Sequence, residues 1–200
     1  MCSNLVSVFN ERLNRCKTAF RLLCVALEED APMYERLAEF TTRNKKHGCH
    51  SIEDVGLEYA LIAFEKDSDD IASYMGFDHA QGEHDGVEVN AIVFQFSCTT
   101  PEYGRRGLSV LLRLLIIAIA IEQGFTSVIS STNDKSGPLL VEKFGFKKID
   151  DYIPGVEYEF LPEVYVTGGI IINTKLILQE EYLEKYHKLY ESLEGCGLVK

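Results

Sequence analysis

A mixed α/β fold, with a central sheet flanked by helices, is what this sequence predicts, and three observations carry it. Val87, Val89, Ala91 and Val93, with Glu88 and Asn90 between them, alternate as a strand does, and the run continues from Phe94 to Cys98. A turn punctuated by glycine, Thr100 to Ser109, leads straight into an apolar helix that opens at Val110. Beyond that helix Phe125 to Ser131, with Val128 and Ile129, reads as a buried strand, so strand, helix and strand make a parallel, right-handed crossover.

The other elements follow in chain order. Leu5, Phe9, Leu13 and Cys16 recur at helical spacing and predict a short amphipathic helix before the core. Phe20 to Leu27 is a strand. Glu28, Glu29 and Asp30, with Pro32, then open a helix from Met33 to about Lys46, where acidic residues suit the positive end of the helix dipole. The basic run from Arg43 and the glycine at Gly48 close it. Residues 47 to 56 form a polar connection, Leu57 to Phe64 a strand, Lys66 to Asp70 a charged turn, Ile71 to Phe77 a strand, and Asp78 to Gly86 a polar hairpin loop. After the crossover, Asp134 to Phe146 holds a short helix stopped by Gly145. Phe146 to Ile149 and Glu163 to Ile177 supply the last strands, the second bent at Gly168-Gly169. Tyr182, Tyr186, Leu189 and Leu193 share one face of a final helix over Gln179 to Leu193. The expected organisation is a helical extension at 1–19, one domain at 20–178, and a C-terminal helix and tail at 179–200.

A length of 200 residues with 46% hydrophobic content suits one domain with a sizeable core. Lys plus Arg number 20 against 31 Asp plus Glu, a net charge of −11 that argues against nucleic acid and against an anionic membrane surface as partners. A cationic partner or substrate fits that charge better. The cysteines at 2, 16, 24, 49, 98 and 196 show no paired metal spacing and read as reduced thiols of a cytoplasmic protein. Met1 to Lys17 lacks the unbroken apolar stretch of a signal peptide. Leu108 to Ile121 is the most apolar segment, but Arg113 interrupts it and it falls short of the ~20 residues of a membrane span, so a buried helix is expected.

The chemistry concentrates in the glycine turn. A helix start leaves backbone N–H groups without partners and carries partial positive charge, so an anion sits there where no side chain blocks it. Gly104 and Gly107 remove the block, Arg105 and Arg106 add charges suited to phosphate oxygens, and Ser109 is small. The turn suits a pyrophosphate. Its spacing is neither the phosphate loop of nucleotide hydrolases nor a dinucleotide fingerprint.

Pro101-Glu-Tyr, the glycine turn, its helix, the strand to Ser131 and Glu142-Lys-Phe-Gly-Phe146 together resemble the GCN5-related N-acetyltransferases (GNAT), over about Phe20 to Leu178. The Arg-Gly-Leu-Ser wording and the Glu-Lys-Phe-Gly-Phe ending are similar to the arylalkylamine type. The resemblance implies a mostly antiparallel twisted sheet with one splayed parallel pair. It also implies acetyl-CoA as cosubstrate, without a metal. Ser97, Cys98 and Thr99 would supply backbone groups to the pantetheine and acetyl carbonyl, and Gly104, Arg105, Arg106, Gly107, Leu108 and Ser109 would hold the pyrophosphate, with Asn133 and Ser136 also at the cofactor. Gly104 stands where the family has Arg or Gln, Ser109 where it has Gly or Ala, and Val141 where many relatives place a proton-donating tyrosine.

Direct acetyl transfer needs a neutral amine, a polarised carbonyl and a route for protons. Backbone N–H groups at Cys98 or its neighbour would polarise the carbonyl, and no covalent intermediate on Cys98 is required. Ser136 is the candidate acid. For the base, Glu28, Glu29, Asp30, Glu53, His47, His50, His79 and His84 all qualify by type, and the resemblance favours Glu29, acting through water. The acceptor implied is a small amine, arylalkyl or polyamine. A protein or peptide amine and a non-catalytic acyl-CoA-binding module are the alternatives, and a homodimer through the terminal helices stays open.

Overall fold

The computed structural model describes residues 2–54, 56–84, 87–132, 137–148 and 169–199. Its elements are α1 (Cys2–Leu13), β1 (Phe20–Ala26), α2 (Ala31–Arg43), β2 (Tyr59–Glu65), β3 (Ile71–His84), β4 (Val87–Thr99), α3 (Leu108–Glu122) and β5 (Ser127–Ser131). A π-helical turn α4 (Leu139–Phe144), β6 (Lys147–Lys148), β7 (Gly169–Asn173), α5 (Thr174–Ile177) and α6 (Glu180–Gly195) follow. The strands form a seven-stranded mixed sheet in the order β1-β2-β3-β4-β5-β7-β6, with β4 and β5 parallel. The expected sheet, crossover and flanking helices are therefore present.

By contacts the chain divides into two compact units. The first comprises Met1–Asp78, Gln95–Ile119 and Tyr190–Lys200. Here α2 starts where the Asp30 side chain accepts from Met33 N at 3.1 Å, with Pro32 in its first turn, as the sequence predicted. It ends at Arg43, and Lys45–His47 adds one 3₁₀ turn. Met33, Leu37 and Phe40 of α2 pack on Ile62, Phe64 and Tyr74, all buried. On β3, Tyr74 meets Phe40 edge-on while Phe77 stacks on Phe9 of α1 at 5.1 Å. Three residues apart, those side chains point to opposite faces of the strand, so α2 and α1 cover opposite faces.

Helix α1 is thus part of this unit's core. Phe9 is wholly buried, worth about 1.5–3 kcal/mol of apolar transfer. Asn10 docks on the outer strand β1, donating to Cys24 O and accepting from Cys24 N, both at 2.8 Å. One side chain so satisfies both backbone groups of Cys24, on a strand at the sheet's edge.

The second unit comprises His79–Phe94 and Ala120–Leu189. Thr126 N donates to Asn90 O at 2.7 Å, its hydroxyl accepts from Asn90 N at 3.1 Å, and this lock fixes the start of the parallel pair. Phe94, Phe146, Phe144 and Tyr186 pack in a chain of ring contacts 6.1 to 6.5 Å apart. Gly145 stops α4 as expected: it takes φ +78°, and a Cβ there would lie 2.5 Å from the ring of Tyr182.

Three expectations are corrected. Residues 78–84, read as a loop from their polar composition, continue β3, because pairing within the sheet outweighs composition. His79 bonds Asn90 of β4 at 2.7 Å and meets Phe125 edge-on. Thr174–Ile177, read as strand, is helix α5: Asn173 ends β7 and accepts from Lys175 N at 2.8 Å, and the Thr174 hydroxyl donates to Phe125 O. Cys49 and Cys98, read as reduced thiols, form a disulfide with Cα atoms 5.4 Å apart, bridging the connection after α2 to β4. Cys16, Cys24 and Cys196 stay thiols, and burial pushes the Cys24 thiol up. The bridge removes the support that the cysteines gave to a reducing, cytoplasmic setting. Strand 163–168, the bend at Gly168 and the aromatic residues 152–165 lie outside the described residues.

Candidate functional site

The parallel ladder runs from Ala91↔Ser127 to Phe94↔Ser130, whereas β4 itself continues to Thr99. That extension holds Ser97, Cys98 and Thr99. Ser73 of β3 donates to Cys98 O at 2.9 Å and shares a 2.8 Å hydrogen bond with Thr99 Oγ1, so the tip of β4 is pinned from one side. With its sulfur in the disulfide, Cys98 is not a nucleophile in this state.

Beyond Thr100 the chain tightens. Pro101–Tyr103 is one 3₁₀ turn, closed by Gly104 N donating to Pro101 O at 3.1 Å. Arg105 then takes φ +63° and Gly107 φ +92°. Arg105 is a costly residue in that region, whereas Gly107 is free to adopt it, and a Cβ at Gly107 would stand 2.8 Å from Leu193 Cδ2. These two reversals let α3 begin at Leu108, two residues before the predicted start, and its first backbone bond from the turn is Leu111 N to Gly107 O at 2.9 Å. Among the described residues, the N–H groups of Arg105, Gly107, Leu108 and Ser109 have no acceptor. They are the donors the sequence predicted for an anion.

Tyr103 anchors the turn. Its hydroxyl donates to Glu65 at 3.0 Å, its ring meets Phe20 edge-on at 5.1 Å, and the Arg106 guanidinium lies 5.4 Å from its centroid. Partial burial, then the Glu65 carboxylate, raise the Tyr103 pKa. Arg105 and Arg106 are exposed, without a carboxylate partner among the described residues, so the turn carries two solvent-facing positive charges.

Next to Thr100 a cavity of about 580 Å³ opens, lined by Phe40, Arg43, Glu39, Glu65, Thr100 and Glu102 among others. Its size is that of a small-molecule site. Glu102 is held ionised by its own backbone N–H, by the Thr100 hydroxyl and by His47, which keep its carboxyl below the ordinary range.

Glu29 is exposed in the turn between β1 and α2 and does not line the cavity, while Asp30 is occupied as a helix cap. Glu53 is exposed, His47 lines the cavity and His50 stands 4.8 Å from Phe96. Asn133 and Ser136 lie outside the described residues, and Val141 is exposed on α4. One residue was missed. Arg113, noted only as an interruption in an apolar run, is buried on α3 and donates to Ser109 O at 3.1 Å and to Ser97 Oγ at 3.2 Å. A single charge inside an otherwise apolar helix was the available signal. Among the described residues no group of acids, histidines and cysteines has metal-site geometry, and no helix is long and apolar enough to cross a membrane.

No family model matches the sequence, and no curated protein matches it either. Solved structures do. The acetyltransferase of the GNAT family from Staphylococcus aureus Mu50 has a TM-score of 0.53 and 13% identity, covering 76% of this chain and 99% of that one. The GNAT family N-acetyltransferase YhbS from Escherichia coli, in complex with CoA, gives 0.47 at 17% identity over 80% of this chain and 83% of that one. A Trypanosoma brucei acetyltransferase gives 0.44 at 15% identity over 62% and 89%. The first likeness establishes that the chain has the GNAT fold.

Proposed function

We propose that this protein is an acetyl-CoA-dependent N-acetyltransferase that passes an acetyl group directly to a primary amine, either a small arylalkylamine or a polyamine. One observation carries the reading. On a GNAT fold, the turn after β4 presents the amides of Arg105, Gly107, Leu108 and Ser109, unpaired among the described residues, in a segment that also carries the exposed Arg105 and Arg106, a combination suited to the diphosphate of a CoA thioester. The extended tip of β4, Ser97 to Thr99, is the place for the pantetheine and acetyl ends. Asn133 and Ser136 complete the proposed cofactor contacts, with Ser136 as acid to the leaving thiolate and Glu29 as base through water. The cavity beside Thr100 is the acceptor's place, where the Glu102 carboxylate faces a lining that also holds Arg36, Arg43 and Lys46, with Glu39 paired to Arg43 and Glu65 accepting from Tyr103.

The test is release of CoA thiol from acetyl-CoA with phenethylamine, histamine, spermidine and a lysine-bearing peptide. Turnover with the small amines is expected. Turnover with the peptide alone would favour a protein acetyltransferase. Binding of acetyl-CoA, read as a rise in thermal midpoint, without thiol release would leave an acyl-CoA-binding module, a reading favoured by Val141 at the tyrosine position. Loss of activity in Glu29→Gln and Ser136→Ala is expected, and unchanged turnover and pH profile would remove the corresponding role.

A further inference from the structure

Arg113 is 7% exposed, and it is the only charge in α3 before Glu122. Its two terminal nitrogens donate to Ser109 O and to Ser97 Oγ, while Nε has no partner among the described residues, and no carboxylate pairs with it there. Burial lowers its pKa only to about 10, so the group is a cation at neutral pH. A buried cation without a counter-charge opposes folding, and an apolar side chain of similar length would serve the packing of this helix at least as well. What the charge does touch is Ser97. Because the Ser97 oxygen accepts from Arg113, its own hydrogen is left to point elsewhere, and the residue is half-buried rather than sealed. Ser97 precedes Cys98, whose carbonyl is already taken by Ser73.

We propose that the Ser97 hydroxyl, oriented and polarised by Arg113, is a catalytic hydrogen-bond donor to the oxygen of the reacting thioester carbonyl. The inference rests on the acetyl-transfer reading above. In that step the amine lone pair forms the N–C bond and the carbonyl π pair moves onto oxygen, which accepts the Ser97 hydrogen bond without taking the proton. On collapse the C–S bond breaks, its pair leaves on sulfur, and the nitrogen gives up a proton to the base. A donor fixed by a buried cation in a low-dielectric setting holds the developing oxyanion more strongly than water does. Ser97 is the catalytic residue and Arg113 the positioning residue.

The experiment compares wild type, Ser97→Ala, Arg113→Met, Arg113→Lys and the Ser97→Ala/Arg113→Met double variant, using acetyl-CoA and the panel amine that wild type turns over fastest. Ser97→Ala is expected to lower kcat on the order of a hundredfold, with acetyl-CoA affinity measured by calorimetry unchanged. Arg113→Met should lose as much kcat with a thermal midpoint no lower than wild type, a combination a purely structural arginine does not give. Arg113→Lys should restore part of kcat, and the double variant should lose no more than the worse single one, since the two act as a unit. Unchanged kcat in Ser97→Ala, or losses that multiply in the double variant, overturns the proposal while leaving acetyl transfer standing. Absence of thiol release by wild type overturns both.

Discussion

Unfolding of the protein under reducing conditions is expected to need about 4 kcal/mol less than under oxidising ones, the chain-entropy value for opening a loop between cysteines 49 residues apart. The bridge joins the connection after α2 to β4, two segments that would otherwise have to find each other through the β2 and β3 region of the chain. Both cysteines are buried in the cluster formed by α2 and the sheet, which shields them from reductant in the folded state. Denaturant midpoints of wild type and Cys49→Ala, each with and without reductant, measure the effect: the reductant should shift wild type and leave the variant in place. Alkylation under non-reducing denaturation, read by mass spectrometry, should modify Cys16, Cys24 and Cys196 and spare Cys49 and Cys98. Modification of Cys49 and Cys98 as well would show that the bridge is not formed.

The paired replacement Arg105→Ala with Arg106→Ala is expected to weaken acetyl-CoA binding by about thirtyfold at low salt, from about 1 kcal/mol for each exposed charge against phosphate. Because both side chains are exposed, stability should stay as in wild type. Added salt should narrow the gap between variant and wild type, since it screens the guanidinium–phosphate attraction but not the backbone donors. Calorimetric titration at two ionic strengths checks all three. An affinity equal to that of wild type at low salt would mean that the arginines do not face the diphosphate.

Much of this architecture was readable because local signals and tertiary structure agree. The alternation through Val93, the glycine turn and the apolar run after Ser109 each ask for the element that forms. Asp30 with Pro32 and Gly145 mark helix ends through backbone needs that no distant contact changes. The misses have the opposite character. His79 to His84 is polar enough for a loop, and only pairing within the sheet makes it strand. At Thr174 the chain leaves β7 because Asn173 caps the next turn, a switch hidden inside an apolar run. The Cys49–Cys98 pair has no signature in spacing, since its geometry depends on where the segment after α2 crosses β4. At the turn, the residues that present the free amides were legible, whereas the link from Arg113 to Ser97 required knowing that α3 lies over the face of β4 opposite to Cys98.

On the proposed function, the amides opening α3 that are unpaired among the described residues grip the diphosphate of a CoA thioester. Assigned backbone amide resonances followed during titration with acetyl-CoA test it residue by residue. The largest shifts, saturating together, are expected at Arg105, Gly107, Leu108 and Ser109. Saturable binding that leaves those four resonances in place while others move, or no binding at all, would contradict it.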